Sequence, residues 1–147
     1  ERHLVESNAP ITRTFESKKQ KGAEVDLSTV FANSVKKAVR TVILDQKDHL
    51  EVIDRLETRD KEATVSWIMV TPAEAKITGK NRIELTKDGQ RMLLTADTGT
   101  EVEMKIWSNV PPHEYDFRNP GTIRVGFETV IPANRASQLK VRLIPLK

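Results

Sequence analysis

The sequence predicts an all-β fold, an antiparallel two-sheet β-sandwich with a short helical turn near the N-terminus. Three observations carry this reading. From Val35 onward, apolar and polar residues alternate with period two, which lays one strand face on a core and leaves the other in water. The apolar runs are short, and turn residues such as Lys87-Asp88-Gly89 separate them, as in all-β domains. A wet face on most strands argues against a parallel α/β sheet, whose strands are buried on both sides. About nine or ten strands are expected, in a sandwich rather than a closed barrel.

Taken in order, residues 1–24 read as an irregular lead-in. His3-Leu4-Val5 is a short apolar start, and Ile11–Phe15 alternates as a first strand. Charge and Gly22 then interrupt the pattern over 16–24, which reads as a loop or surface excursion. In VDLSTVFANS, Asp26 or Ser28 supplies a capping oxygen for a helical turn, with Val25, Leu27, Val30 and Phe31 pinning it to the core. Three strand-like runs follow, KKAVRTVIL, HLEVIDRL and ATVSWIMV, separated by DQKD and ETRDKE. Pro72 ends the third. Gly79-Lys80-Asn81 and Lys87-Asp88-Gly89 mark two hairpin turns around IELT. Val102, Met104 and Ile106 alternate with Glu101, Glu103 and Lys105 as a half-buried strand. SNVPPHEYDFRNPG is a long irregular loop, a length usually reserved for function or disorder. Ile123–Ile131 and Leu139–Leu143 close the chain as strands.

At 147 residues the chain is long enough for one domain with a real core, read as 1–147. Its net charge of +3 lacks the concentrated basic face that nucleic acid requires. The clusters Lys18-Lys19-Lys21 and Lys36-Lys37-Arg40 read as solvated surface. No cysteine is present, which excludes disulfides, a thiolate zinc site and a cysteine nucleophile. No apolar run is long enough to span a bilayer as a helix. Without an initiator Met or an apolar signal core at its start, the chain is expected to be part of a longer protein.

The sharpest structural pair is Arg40 and Asp54. Asp54 shares a pleat face with Leu50, Val52 and Leu56, and a buried carboxylate needs a partner. Antiparallel pairing around DQKD places Arg40 opposite, where a guanidinium grips a carboxylate through two N–H bonds. A structural ion pair that sets strand register is favoured over a catalytic carboxylate. His3, His49 and His113 lie far apart without metal-ligand spacing, so no metal site is expected. His113 and Tyr115, two apart in the long loop, form a conceivable base–acid pair, but no third group completes a site. Trp67 reads as core, whereas Trp107 follows the phase of Glu103 and Lys105 and faces outward. Trp107, His113, Tyr115, Arg118 and Asn119 are therefore the candidates for glycan contact. No serine elbow, Walker loop or dinucleotide glycine pattern occurs.

The order VDLSTVF, KKAVRTVIL, HLEVIDRLE and TVSWIMVTPAEAKITGKNRIELTKDGQRMLLTA resembles the C-terminal β-sandwich region of heparinase II/III-like polysaccharide lyases. Asp26, Leu27, Ser28 and Phe31 stand where that family has a D-L-T-x-x-Y-like segment, with Ser for Thr and Phe for Tyr. Arg40, Val52 to Asp54, Trp67, Ile83, Leu85 and Gly89 follow in the family's order. The resemblance covers residues 22–147. It implies a secreted or periplasmic bacterial enzyme that cleaves acidic polysaccharide by β-elimination, without a cofactor. It also implies an N-terminal α-helical partner domain in the same polypeptide. The family's His-rich segment is absent here, so no catalytic residue transfers and an incomplete active site is expected. The alternative is a stand-alone β-sandwich that binds carbohydrate or protein.

Overall fold

The computed structural model describes residues 7–111 and 113–147. His3-Leu4-Val5 and Pro112 lie outside the described residues. Eleven strands are present among the described residues. The first four are β1 (Ile11–Glu16), β2 (Gln20–Asp26), β3 (Val35–Asp45) and β4 (Leu50–Thr58). The middle four are β5 (Ala63–Thr71), β6 (Glu74–Gly79), β7 (Arg82–Lys87) and β8 (Gln90–Asp97). The last three are β9 (Glu103–Ser108), β10 (Ile123–Ile131) and β11 (Ala136–Leu146).

They form two antiparallel sheets, as the alternation predicts. The larger has the order β1-β2-β3-β4-β11-β8-β7-β6, and the smaller is β5-β10-β9. The chain crosses between layers after β4, β5, β8 and β10, so β11 inserts between β4 and β8. One core lies between the sheets. Phe127, Ile83, Leu94, Ile131, Leu139, Val125 and Val141 are at most 1% exposed. Each such side chain contributes roughly 1.5–3 kcal/mol by leaving water. Trp67 of β5 stacks parallel on Phe127 of β10 with ring centroids 6.1 Å apart.

The Asp88-Gly89 turn joins β7 to β8 with both residues at positive φ, 51° and 75°. Such a two-residue turn matches the right-handed twist of its strands. Arg40 and Asp54 are direct partners in the β3–β4 ladder. Arg40 Nε and Nη2 donate to the two Asp54 carboxylate oxygens at 2.7 and 2.8 Å.

Two expectations are corrected. Residues 27–34 form successive turns and no helix. Helix-like bonds occur there, from the Phe31 and Val35 amides to the Leu27 and Phe31 carbonyls. They are mixed with shorter-range bonds from Val30 and Ser34, and the segment is too short to propagate. Asp26 does accept from the Ser28 amide at 2.8 Å, as a capping oxygen would. The Ser28 hydroxyl is also tied to the Ala38 backbone, which fastens the segment to β3.

The irregular reading of 16–24 also fails, because Gln20–Asp26 is strand β2 between β1 and β3. The charges that masked it lie on a partly wet strand whose order comes from two neighbours. Ser17 closes the β1–β2 turn, its hydroxyl accepting from the Lys19 and Gln20 amides. Gly22 is required there. A Cβ would lie 2.3 Å from the Val42 carbonyl oxygen and 2.5 Å from the Phe15 ring.

Candidate functional site

The connection between β9 and β10, residues 109–122, projects from one end of the small sheet. Its base is clasped. Asn109 Nδ2 donates to the Thr122 hydroxyl at 2.7 Å, which donates to the Asn119 carbonyl at 2.7 Å. Arg124 Nε donates to the Ser108 carbonyl at 3.0 Å, tying the strands just below. Within the loop, the His113 amide donates to an Asp116 carboxylate oxygen and the Asp116 amide to the His113 carbonyl. This turn sets His113 and Tyr115 on one side, their rings stacked 5.0 Å apart at 11°. The stacked rings share apolar surface, and both side chains are exposed.

His113, Arg118 and Asn119 line a shallow concavity of about 390 Å³ together with Val110, Pro111 and Glu114. Tyr115 stands beside it, 84% exposed. Trp107 is not part of this hollow. It is half-buried on the outer face of the small sheet, opposite Arg124 in the ladder. The sequence reading missed Phe117, which is 86% exposed. Its place in a Pro-rich polar loop was the available signal, since an aromatic there has no strand face to fill. The loop thus offers two exposed aromatic rings, one stacked on an imidazole, and one guanidinium.

On the outer face of the small sheet one lysine joins two carboxylates. Lys105 bridges Glu128 and Glu103, the latter at 3.1 Å, and Ser66 donates to Glu128 at 3.1 Å. Lys105 is raised by its bond to Glu128, and Glu128 is lowered by its bond to Lys105. Glu84 is likewise lowered by Arg91, and Asp26 and Asp45 by hydrogen bonds from Ser28 and His49. These depressed carboxylates contribute stability above their ordinary values of 3.8 and 4.5, and it is lost as pH falls through the folded values. The raised Lys105 contributes below its ordinary 10.5 and loses its contribution above it. Thermal unfolding measured against pH is therefore expected to plateau between those limits and to fall on the acid side. A melting temperature that rises from pH 5 to pH 3 would contradict these assignments.

Among the described residues, no group of three or more His, Asp or Glu side chains is placed to hold a metal ion. No helix among them is long and apolar enough to cross a membrane.

No protein-family model matches this sequence, and no curated protein sequence matches it. Solved structures do match. A crystal structure of heparinase III superposes with a TM-score of 0.71 at 12% identity, over 94% of this chain and 21% of that one. Heparan sulfate lyase HepC from Pedobacter heparinus superposes at 0.66 and 16%, over 98% of this chain and 22% of that one. The fold is that of a domain in heparinase III. At these identities the likeness establishes architecture. The chain spans about a fifth of the heparinase chains it matches, so in each of them this sandwich is one domain of a larger protein.

Proposed function

We propose that residues 1–147 form the C-terminal β-sandwich domain of a heparinase II/III-like polysaccharide lyase. The parent enzyme cleaves an acidic, uronate-containing glycan by β-elimination in the periplasm or outside a bacterial cell. The sandwich supports an N-terminal α-helical domain of the same polypeptide. The observation that carries this reading is the superposition of nearly the whole chain on about a fifth of heparinase III.

The test uses the chain itself. Incubated with heparin, heparan sulfate or alginate, it is expected to produce no ultraviolet absorbance of unsaturated uronate. Sustained turnover would show a complete active site and reject the supporting role.

The loop 109–122 is the proposed glycan contact. Tyr115 and Phe117 offer stacking faces, and Arg118 offers a cation for carboxylate or sulfate. Losing one stacking face costs about 0.5–1.5 kcal/mol. Tyr115→Ala is therefore expected to weaken heparan sulfate binding by about 2- to 13-fold in titration calorimetry. Unchanged affinity in a Tyr115→Ala, Arg118→Ala double variant would remove the loop from the contact.

A further inference from the structure

We infer that the free edge of β5 is a strand-addition site, completed by an extended segment of the same polypeptide from outside the 147 residues. The inference rests on the multidomain reading above and adds the place and form of the contact.

Two independent features converge on this edge. The first is the uncovered wing of the large sheet. The small sheet packs over β4, β11, β8 and β7, whose residues make up the core together with those of β5, β10 and β9. Contacts between β9 and β6 place β9 over the far end of the large sheet. β5 therefore looks toward the β1-β2-β3 end, which has no second layer among the described residues. The core-side face of that wing continues the apolar surface, because Val42 and Leu44 pair in register with Val52 and Leu50. On β2, Ala23 lies opposite Val42 and Lys21 opposite Leu44. Val42, Leu44, Ala23 and Val25 are all half-buried, and Val42, Leu44 and Ala23 floor a shallow hollow of about 540 Å³ along with Glu16 and Lys21. Three strands at about 4.8 Å spacing make the wing roughly 14 Å wide, enough room for added strands above it.

The second feature is the edge itself. Sheet edges are normally blunted by charges, prolines or bulges. β1 carries Arg13, Glu16 and a bulge between Ile11 and Arg13. β6 carries Glu74 and Lys76, and β9 carries Glu103 and Lys105. β5 reads ATVSWIMVT, nine residues without a charge or a proline, and its ladder with β10 has no bulge. It is the unprotected edge among the four. A strand added there satisfies its backbone groups and lays alternate side chains onto Val42 and Leu44. Its other face extends the exposed apolar surface of Ile68 and Val70.

A second copy fits less well. Edge-to-edge pairing with both large sheets on one side drives the two wings into the same space. The matched heparinase chains carry about four-fifths of their length outside this fold, which favours a segment of the same molecule.

Hydrogen exchange tests the site. In the 147-residue chain, the β5 amides that face away from β10 are expected to exchange rapidly, with the chain monomeric by light scattering. In the natural full-length polypeptide the same amides are expected to slow by on the order of a hundredfold. Leu44→Lys in that polypeptide is expected to restore rapid exchange in β5 while β7 and β8 stay protected. A 147-residue dimer with protected β5 amides would assign the edge to a second copy and overturn the inference. So would a full-length polypeptide with unprotected β5, or a reading frame that supplies no residues beyond these. Uronate release by the same polypeptide judges the lyase reading separately. An active enzyme with an open β5 edge rejects only the added strand, and an inactive one with a protected edge rejects only the lyase.

Discussion

Arg40→Ala is expected to destabilise the domain by about 3–5 kcal/mol, the cost of leaving a buried carboxylate without its partner. The Asp54 side chain is only 8% exposed, whereas that of Arg40 is 39% exposed. The two halves of the pair are therefore unequal. When Arg40 is removed, Asp54 stays behind on the core side of β4, flanked by Val52 and Leu56 and opposite Leu139. When Asp54 is removed, the guanidinium still reaches water from the open side of the sandwich. Asp54→Ala is accordingly expected to cost less, about 2 kcal/mol. The hydrogen bond to Asp54 also holds Arg40 above its ordinary value, so the guanidinium stays charged throughout the working range. Urea unfolding of both single variants and the double variant separates the pair energy from the cost of the orphan charge. If Asp54→Ala proves the more damaging, the carboxylate is solvated and this account of the pair fails.

Gly126→Ala is expected to be at least as severe. Gly126 sits in β10, the central strand of the small sheet, opposite Ile68 of β5 and Lys105 of β9. A Cβ there would lie 1.8 Å from the Trp67 carbonyl oxygen and 2.9 Å from the carbonyl carbon. Both atoms are backbone and cannot swing aside, so β5 and β10 must separate or β10 must buckle. Overpacking and backbone strain together cost about 3–5 kcal/mol. For a domain of this size each kcal/mol lowers the melting temperature by roughly 2–4 °C, so a fall of about 6–20 °C is expected. Gly89→Ala is the control. Its Cβ meets nothing within 4 Å, and only the positive φ of 75° opposes it. That substitution is expected to cost about 1 kcal/mol. Comparable losses at both positions would mean that the steric contact at Gly126 is relieved at little cost.

Much of this architecture is legible from local pattern. Period-two alternation marks β3, β4, β5, β10 and β11, because each lays one face on a core and the core demands apolar side chains at every second position. The Asp88-Gly89 turn is legible because few residues accept two successive positive φ values. The opposition of Arg40 and Asp54 follows from counting back around a short turn, so a long-range ion pair reduces to a local register. β2 is different. Its charged residues contradict a strand, and only the ladders on both sides make it one. The capping geometry at Asp26 is written locally, but a helix also needs length, and 27–34 has none.

The glycan-contact candidates show the same division. His113, Tyr115, Arg118 and Asn119 could be chosen from the sequence because an irregular loop with three prolines and two aromatics has no core face to serve. That His113 and Tyr115 stack, that Trp107 lies apart on the sheet, and that Phe117 stands in solvent depend on how the clasp at Asn109 and Thr122 folds the loop.

By itself, then, the sequence determined the regularly alternating strands and their faces, the tightest turns and the fold class, since these follow from side-chain period and backbone sterics within a few residues. Only the tertiary structure decided which strands share a sheet, that β11 enters between β4 and β8, and that Gly126 has no room for a methyl group. It also decided that β5 ends the small sheet without a charged or bulged edge. Those outcomes depend on backbone partners tens of residues apart, and no local pattern encodes which strand a free edge will meet.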